Sequence, residues 1–241
     1  MKPDYNISIR EISSKLDKMN PLELSHPEFK KSAVLILLME EKGEYKLIMT
    51  SRSKNLTKHR GEMSFPGGRF EKGKDKSLKD TALRENEEEI GIKREYIQLI
   101  GRIHDFPTVT GYIIRPFVGI IKPKFIGSID FDLNHGEVAA LVKIPLSYLF
   151  KDNIFMERDF PQDNINFKIL SFPFFDPNHD KEFIIWGASA HIITEFLKII
   201  FGLEVRSKGY IRPTIPQILK YKKSTLSSSK RRTKKRKSTK K

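Results

Sequence analysis

Residues 67–92, GGRFEKGKDKSLKDTALRENEEEIGI, join a glycine pair to a lysine-rich loop and a helical stretch that closes on Ile-Gly-Ile. Ser77 is placed to cap a helix running to about Ile90, and Gly91 stands where such a helix stops. Within that helix Glu85, Glu88 and Glu89 fall at i, i+3 and i+4, so their carboxylates share one face. Three like charges there destabilise the helix unless something cationic binds them. Hard divalent cations take oxygen ligands and commonly bridge protein carboxylates to substrate phosphates. An acid-rich helix is also an ordinary solvated face, and Glu87 reads that way. What tips the balance is the turn Pro66-Gly67-Gly68, whose backbone can approach a ligand closely.

Around this stretch the chain alternates strands and helices. Residues 7–18 space Ile7, Ile9, Ile12 and Leu16 as a short amphipathic helix. AVLILLM (33–39) and YKLIMTSR (45–52) flank a Glu-Lys-Gly-Glu turn and read as a β-hairpin. YIQLIGRIHDF (96–106) and GYIIRPFVGII (111–121) read as strands joined by PTVT, and EVAALVKIPL (137–146) as another. NFKILSFPFF and EFIIW suggest a late strand pair before a last helix over 187–202. That order favours an α+β fold, an α/β/α sandwich in which a mixed sheet is flanked by helices.

Composition sets limits on the chemistry. With no cysteine there is no disulfide framework, thiolate metal site or cysteine nucleophile. No apolar run is long enough to cross a bilayer, the N-terminus lacks the apolar core of a signal peptide, and the cytoplasm is the expected location. The net charge of +15 is concentrated at one end: residues 222–241 hold 11 Lys and Arg and no acid, leaving 34 bases against 30 acids before them. Such a tail is expected to be disordered and to bind nucleic acid or other polyanions weakly through counterion release. Its run KRRTKKRK also reads as a nuclear-localisation signal in a eukaryotic host. The expected division is an N-terminal helix and lead-in over 1–30, a catalytic domain over 31–205, an extension over 206–221 and the basic tail over 222–241.

The segment 67–92 resembles the Nudix box, GX5EX7REUXEEXGU, with Gly68, Arg84, Glu85, Glu88, Glu89, Gly91 and Ile92 matching. It departs at Asn86, where an aliphatic residue is usual, and its loop is two residues longer. Counting from either end therefore lands on Lys74 or Lys76 rather than glutamate, with Asp75 or Glu71 as substitutes. Upstream, MTSRSKNLTKHRGEMSFPGG (49–68) is similar to the segment that marks coenzyme A pyrophosphatases within the superfamily, through Arg52, Ser53, Leu56, His59, Gly61 and FPGG. GRIHDFPTVTGYIIRPFVG (101–119), EVAALVKIPLSYLF (137–150) and FIIWGASAHII (183–193) resemble further blocks of that group, in the same order.

The resemblance implies a Nudix hydrolase that uses Mg²⁺ or Mn²⁺ to cleave the diphosphate of coenzyme A or its derivatives into 4′-phosphopantetheine and adenosine 3′,5′-bisphosphate. Glu85, Glu88 and Glu89, with the Gly68 carbonyl, would hold the metal. Arg84 would support them, since a guanidinium that stays protonated cannot act as a base. Glu89, or else Glu137, would be the general base. Arg52, His59, Gly67, Gly68 and Thr110 would contact substrate, Arg52 by matching its guanidinium fork to phosphate oxygens. Plainer readings stand beside these: a hairpin ion pair for Arg52, a loop hydrogen bond for His59, a turn for Thr108 and Thr110, and a core or helix-entry place for Trp186. Alternative functions are hydrolysis of ADP-ribose, a dinucleoside polyphosphate or a damaged nucleoside triphosphate, or nucleic-acid binding on the same scaffold. A homodimer is one open assembly.

Overall fold

The apolar run 33–39 forms the middle of strand β1 (Lys30–Glu41), and its side chains are buried on both faces of a sheet. Ala33, Leu35, Leu37 and Met39 face one hydrophobic cluster, while Ile36 and Leu38 face another. A strand covered on both sides reads as a continuous apolar run rather than an alternating one. In this computed structural model the described residues are 4–53, 60–162, 165–208, 210 and 213–223.

Strand β1 pairs antiparallel with β2 (Glu44–Arg52) through a turn at Lys42 and Gly43, giving the expected hairpin. On its other side it runs parallel to β7 (Tyr112–Ile121). Short strands β3 (Met63–Ser64), β4 (Gly67–Arg69) and β6 (Phe106–Pro107), with β5 (Ile97–Arg102) and β8 (Val138–Pro145), complete an eight-stranded mixed sheet. Helix α2 (Leu78–Ile90) covers one face through Ala82 and Ile90. The other face is covered by α1 (Ile9–Asp17), α4 (Gly187–Phe201) and an antiparallel sheet of β9 (Met156–Gln162), β10 (Ile165–Asp176) and β11 (Lys181–Trp186). A four-residue helix, α3 (Leu146–Leu149), follows β8. The expected layers are present: helix, sheet, then helices with a second sheet. Among the described residues no helix is long and apolar enough to cross a membrane.

Local chemistry sets the helix ends. Ser8 and Glu11 form a reciprocal capping box on α1. The Ser77 hydroxyl accepts from the Asp80 N–H, and Gly91 ends α2 in the left-handed conformation. Strand β9 and a helix over residues 215–223 were not foreseen. That helix includes Lys222 and Lys223, which sequence reading placed in the basic tail; residues 224–241 lie outside the described residues.

The loop between β4 and α2 is fastened by one buried acid. Asp75 has no exposed side-chain surface and takes two bonds from the Arg84 guanidinium, at 2.7 and 3.0 Å. It also accepts from the Thr81 hydroxyl at 2.9 Å and the Glu71 N–H at 2.8 Å. Glu71, the other candidate, pairs instead with Lys74 at the surface. Asp75 thus sits where the lengthened loop needs an acid facing Arg84. Its hydrogen bonds with Arg84 hold its carboxyl down at about 2, against an ordinary 3.8. A carboxyl lowered on folding stabilises the protein above its unfolded value, and that contribution is lost as pH falls through the folded value. Asp75→Asn should therefore cost about 3 kcal/mol at pH 7, the loss expected when a buried ion pair is broken. The gap from wild type should close between about pH 4 and pH 2. Urea unfolding across that range checks this, and equal stability at pH 7 would contradict it.

Candidate active site

The FPGG turn brings its backbone against β1 and α2 at once. Gly67 pairs with Val34 and Gly68 with Ala33. A Cβ on Gly67 would lie 2.4 Å from the Ala33 carbonyl oxygen, and one on Gly68 would lie 2.3 Å from the Glu85 carboxyl. Real Cβ atoms do not come so close, so Gly67 lets the turn lie against β1 and Gly68 lets the Glu85 carboxylate rest on the turn. The Gly68 carbonyl accepts from the Ser32 hydroxyl at 2.8 Å, leaving a second lone pair on that oxygen.

Arg84 spans the site. Besides Asp75 it donates to Glu85 at 2.9 Å, to Glu88 at 2.8 Å and to the Arg69 carbonyl at 3.4 Å. The three glutamates are not equivalent. Glu88 is half exposed and turned onto Arg84. Glu85 is mostly buried, and burial raises its carboxyl pKa despite the opposing Arg84 charge. Glu89 is 3% exposed, and its Oε2 is buried without a hydrogen-bond partner. Burial first, then the Glu85 and Glu137 carboxylates, push it up to about 8, while the Arg52 charge and the Gly67 N–H oppose the rise. Glu87 lies outside this group, partly exposed and 3.6 Å from Arg94.

Among the described residues no three acidic or histidine side chains stand close enough to form a ready cage for a metal ion. The donors nevertheless fit a hard cation held jointly with a ligand. Glu89 has an unpartnered oxygen in a buried acidic cluster, Glu85 lies beside it, and Mg²⁺ is typically held by one or two carboxylates plus substrate phosphates.

Three of the other expected residues, Arg52, Gly68 and Thr110, line a cavity of about 1000 Å³. Arg52, at the end of β2, lines it together with Gly68, and no ion pair joins Arg52 to another described residue, which removes the hairpin reading. Glu137 is exposed just before β8, and its charge acts on both Glu85 and Glu89. Thr110 also lines the cavity, and Thr108 closes its own turn by bonding Thr110 and both backbone groups of Tyr112. Trp186 stands at the entry of α4 as its N-cap residue, as the helix-entry reading has it, and is 42% exposed on the cavity wall rather than in the core. His59 lies outside the described residues.

Sequence reasoning missed Ser32, Phe106 and His191. Ser32 holds the Gly68 carbonyl, and its only trace is a small polar residue at the head of an apolar run. Phe106 and His191 line the cavity with ring centroids 4.4 Å apart. They come from β6 and α4, and nothing in the sequence joins those two positions. Asn86, the departure inside the box, is fully buried, and its side-chain amide donates to the Ile92 carbonyl at 3.0 Å. The unusual polar residue thus braces the turn after α2.

Residues 29–140 match the NUDIX domain family. The chain is 32% identical over 198 residues to Nudix hydrolase 15, mitochondrial, of Arabidopsis thaliana, covering 82% of this chain and 65% of that protein. It therefore spans just under two thirds of that relative's length. It is 34% identical over 165 residues to the uncharacterized Nudix hydrolase NudL of Yersinia pestis, covering 68% of this chain and 76% of that protein. Among solved structures, the NUDIX domain of Shewanella oneidensis NrtR complexed with ADP ribose aligns with a TM-score of 0.41 at 16% identity, over 57% of this chain and 84% of that one. The matched domain contains the glycine turn, Arg84 and the three glutamates, and the likeness to these relatives extends beyond it: the chain belongs to the Nudix hydrolase family.

Proposed function

We propose that this Nudix hydrolase cleaves the diphosphate of coenzyme A or its derivatives, giving 4′-phosphopantetheine and adenosine 3′,5′-bisphosphate. The observation that carries the catalytic part is the buried, unpartnered oxygen of Glu89 beside Glu85, both packed on the FPGG turn. The substrate class rests on the upstream block 49–68 and the three later blocks, which resemble the coenzyme A pyrophosphatases. A cavity of about 1000 Å³ lined by Gly68, Arg52, Phe106 and Trp186 has room for more than a diphosphate.

The residues divide the work as follows. Glu85 and Glu89, with the Gly68 carbonyl and Glu88 at the rim, would hold Mg²⁺ or Mn²⁺. When bound, such an ion neutralises phosphate oxygens and lowers the pKa of coordinated water. Arg84 keeps Glu85 and Glu88 in place and ties them to Asp75. Arg52 faces the diphosphate, where a guanidinium can donate to two oxygens at once. Glu89 accepts the proton of the attacking water, and Glu137, at the open side, is the second candidate. Water adds to one phosphorus, the bridging P–O bond breaks, and the departing phosphate keeps its electron pair. Weak polyanion binding is our proposed role for the basic residues 224–241.

Hydrolysis of coenzyme A, acetyl-coenzyme A, ADP-ribose, a dinucleoside tetraphosphate and nucleoside triphosphates, each with Mg²⁺, Mn²⁺ or chelator, tests the reading. Coenzyme A compounds should lead, release 4′-phosphopantetheine by mass and stop with chelator. Preference for another member of the set would overturn the substrate class. Within the site, Glu89→Gln should lower kcat on the order of 10²–10⁴-fold, the usual worth of a general base, while thermal melting shows the chain still folded. Turnover within tenfold of wild type would remove Glu89 from that role.

A further inference from the structure

The far wall of the cavity is built by residues that sequence reading left outside the catalytic domain. Pro213, Ile218 and Lys222 line it alongside Thr110 and Gly111. The helix over 215–223 begins at Thr214, whose N–H and hydroxyl both donate to the Gln217 side chain, at 2.8 and 2.9 Å. Ile218 is 1% exposed and packs on Phe29 and Ile113, with Leu24, Val109, Ile215 and Leu219 around them. This helix is therefore docked on the body through an apolar contact.

Lys222 lies four residues after Ile218, on the same side of the helix. Anchoring Ile218 thus turns Lys222 back toward the cavity. Its ammonium stands 5.4 Å from the centroid of the Phe29 ring and directly against Gly111, where a Cβ would lie 2.8 Å from Nζ. Gly111 has φ +91° and ends the turn that carries Thr108 and Thr110, and its carbonyl accepts from the Lys30 N–H at 2.9 Å. Lys30 also lines this part of the cavity. Two lysines and a glycine turn thus meet, beside Glu28, on the wall of a cavity that Arg52 and Gly68 also line. Arg52 acts on Glu89; Lys222 belongs to a different wall.

We propose that Lys222, with Lys30, forms a second anion-binding position, one that takes a phosphate monoester carried by the substrate apart from its scissile diphosphate. A monoester carries nearly two negative charges at neutral pH, and a lysine ammonium recognises it as a point charge. This inference rests on the coenzyme A reading, because coenzyme A carries such a group at the ribose 3′ position whereas ADP-ribose does not.

The test is steady-state kinetics of the full chain with coenzyme A and 3′-dephospho-coenzyme A, for wild type, Lys222→Ala and Lys222→Arg. The ratio of kcat/KM for coenzyme A over its dephospho form should fall about tenfold in Lys222→Ala, through KM, which is the scale of one partly exposed charge-assisted bond. Lys222→Arg should restore most of the ratio. An unchanged ratio in Lys222→Ala, with both substrates still cleaved, would overturn the second anion position while leaving the coenzyme A reading intact. If wild type cleaves neither compound but does cleave ADP-ribose, the coenzyme A reading falls and takes this inference with it.

Discussion

One guanidinium holds the site together. Arg84 bonds Asp75 through two nitrogens, Glu85 and Glu88 through single bonds, and the backbone of Arg69. It thereby links three parts that the chain delivers separately: the loop before α2, the exposed face of α2, and the strand leaving the glycine turn. The close packing of Glu85 on Gly68 depends on this link and on the missing Cβ of that glycine. On the same turn of α2 Glu89 is buried, and its second oxygen has no hydrogen-bond partner. A carboxyl in that state costs stability unless a cation or a proton compensates it. The site thus gives up stability for readiness to bind a cation.

Much of this was legible in the sequence because its causes are local. Ser77 and Gly91 bound α2 as cap chemistry dictates, and the Glu-Lys-Gly-Glu turn sets the first hairpin. The run at 33–39 announced a strand, and its burial on both faces follows from neighbours that cover both sides. What was not legible depends on distant contacts. Spacing alone could not choose between Asp75 and Glu71, and the choice is made by Thr81 and Arg84 reaching into the loop. Trp186 sits in an apolar run, yet β11 alternates, so it points outward where Phe183 and Ile185 point in. The helix over 215–223 looked like the approach to a charged tail because its apolar face is small and is completed by Phe29 and Ile113, far earlier in the chain.

The charge distribution also reads differently in three dimensions. A chain with strong positive charge at one end suggests a body and a separate polyanion-binding arm. The fold brings the first lysines of that end onto the body, and the acids that matter lie together on one turn of α2. Arg52, Lys30 and Lys222 line the cavity, and at Gly68 it meets the turn on which the Glu85 carboxyl rests, an arrangement suited to an anionic ligand that arrives with its own counter-cation.

The claim on which this account turns is that Glu85 and Glu89 bind a divalent cation together with a diphosphate. Electron paramagnetic resonance of Mn²⁺ titrated into the protein, with and without ADP as a diphosphate, measures this without relying on turnover. The account predicts that ADP tightens Mn²⁺ binding in wild type and that Glu85→Gln and Glu89→Gln each abolish the tightening. Mn²⁺ binding that is indifferent to ADP, or equally tight in both variants, would contradict it.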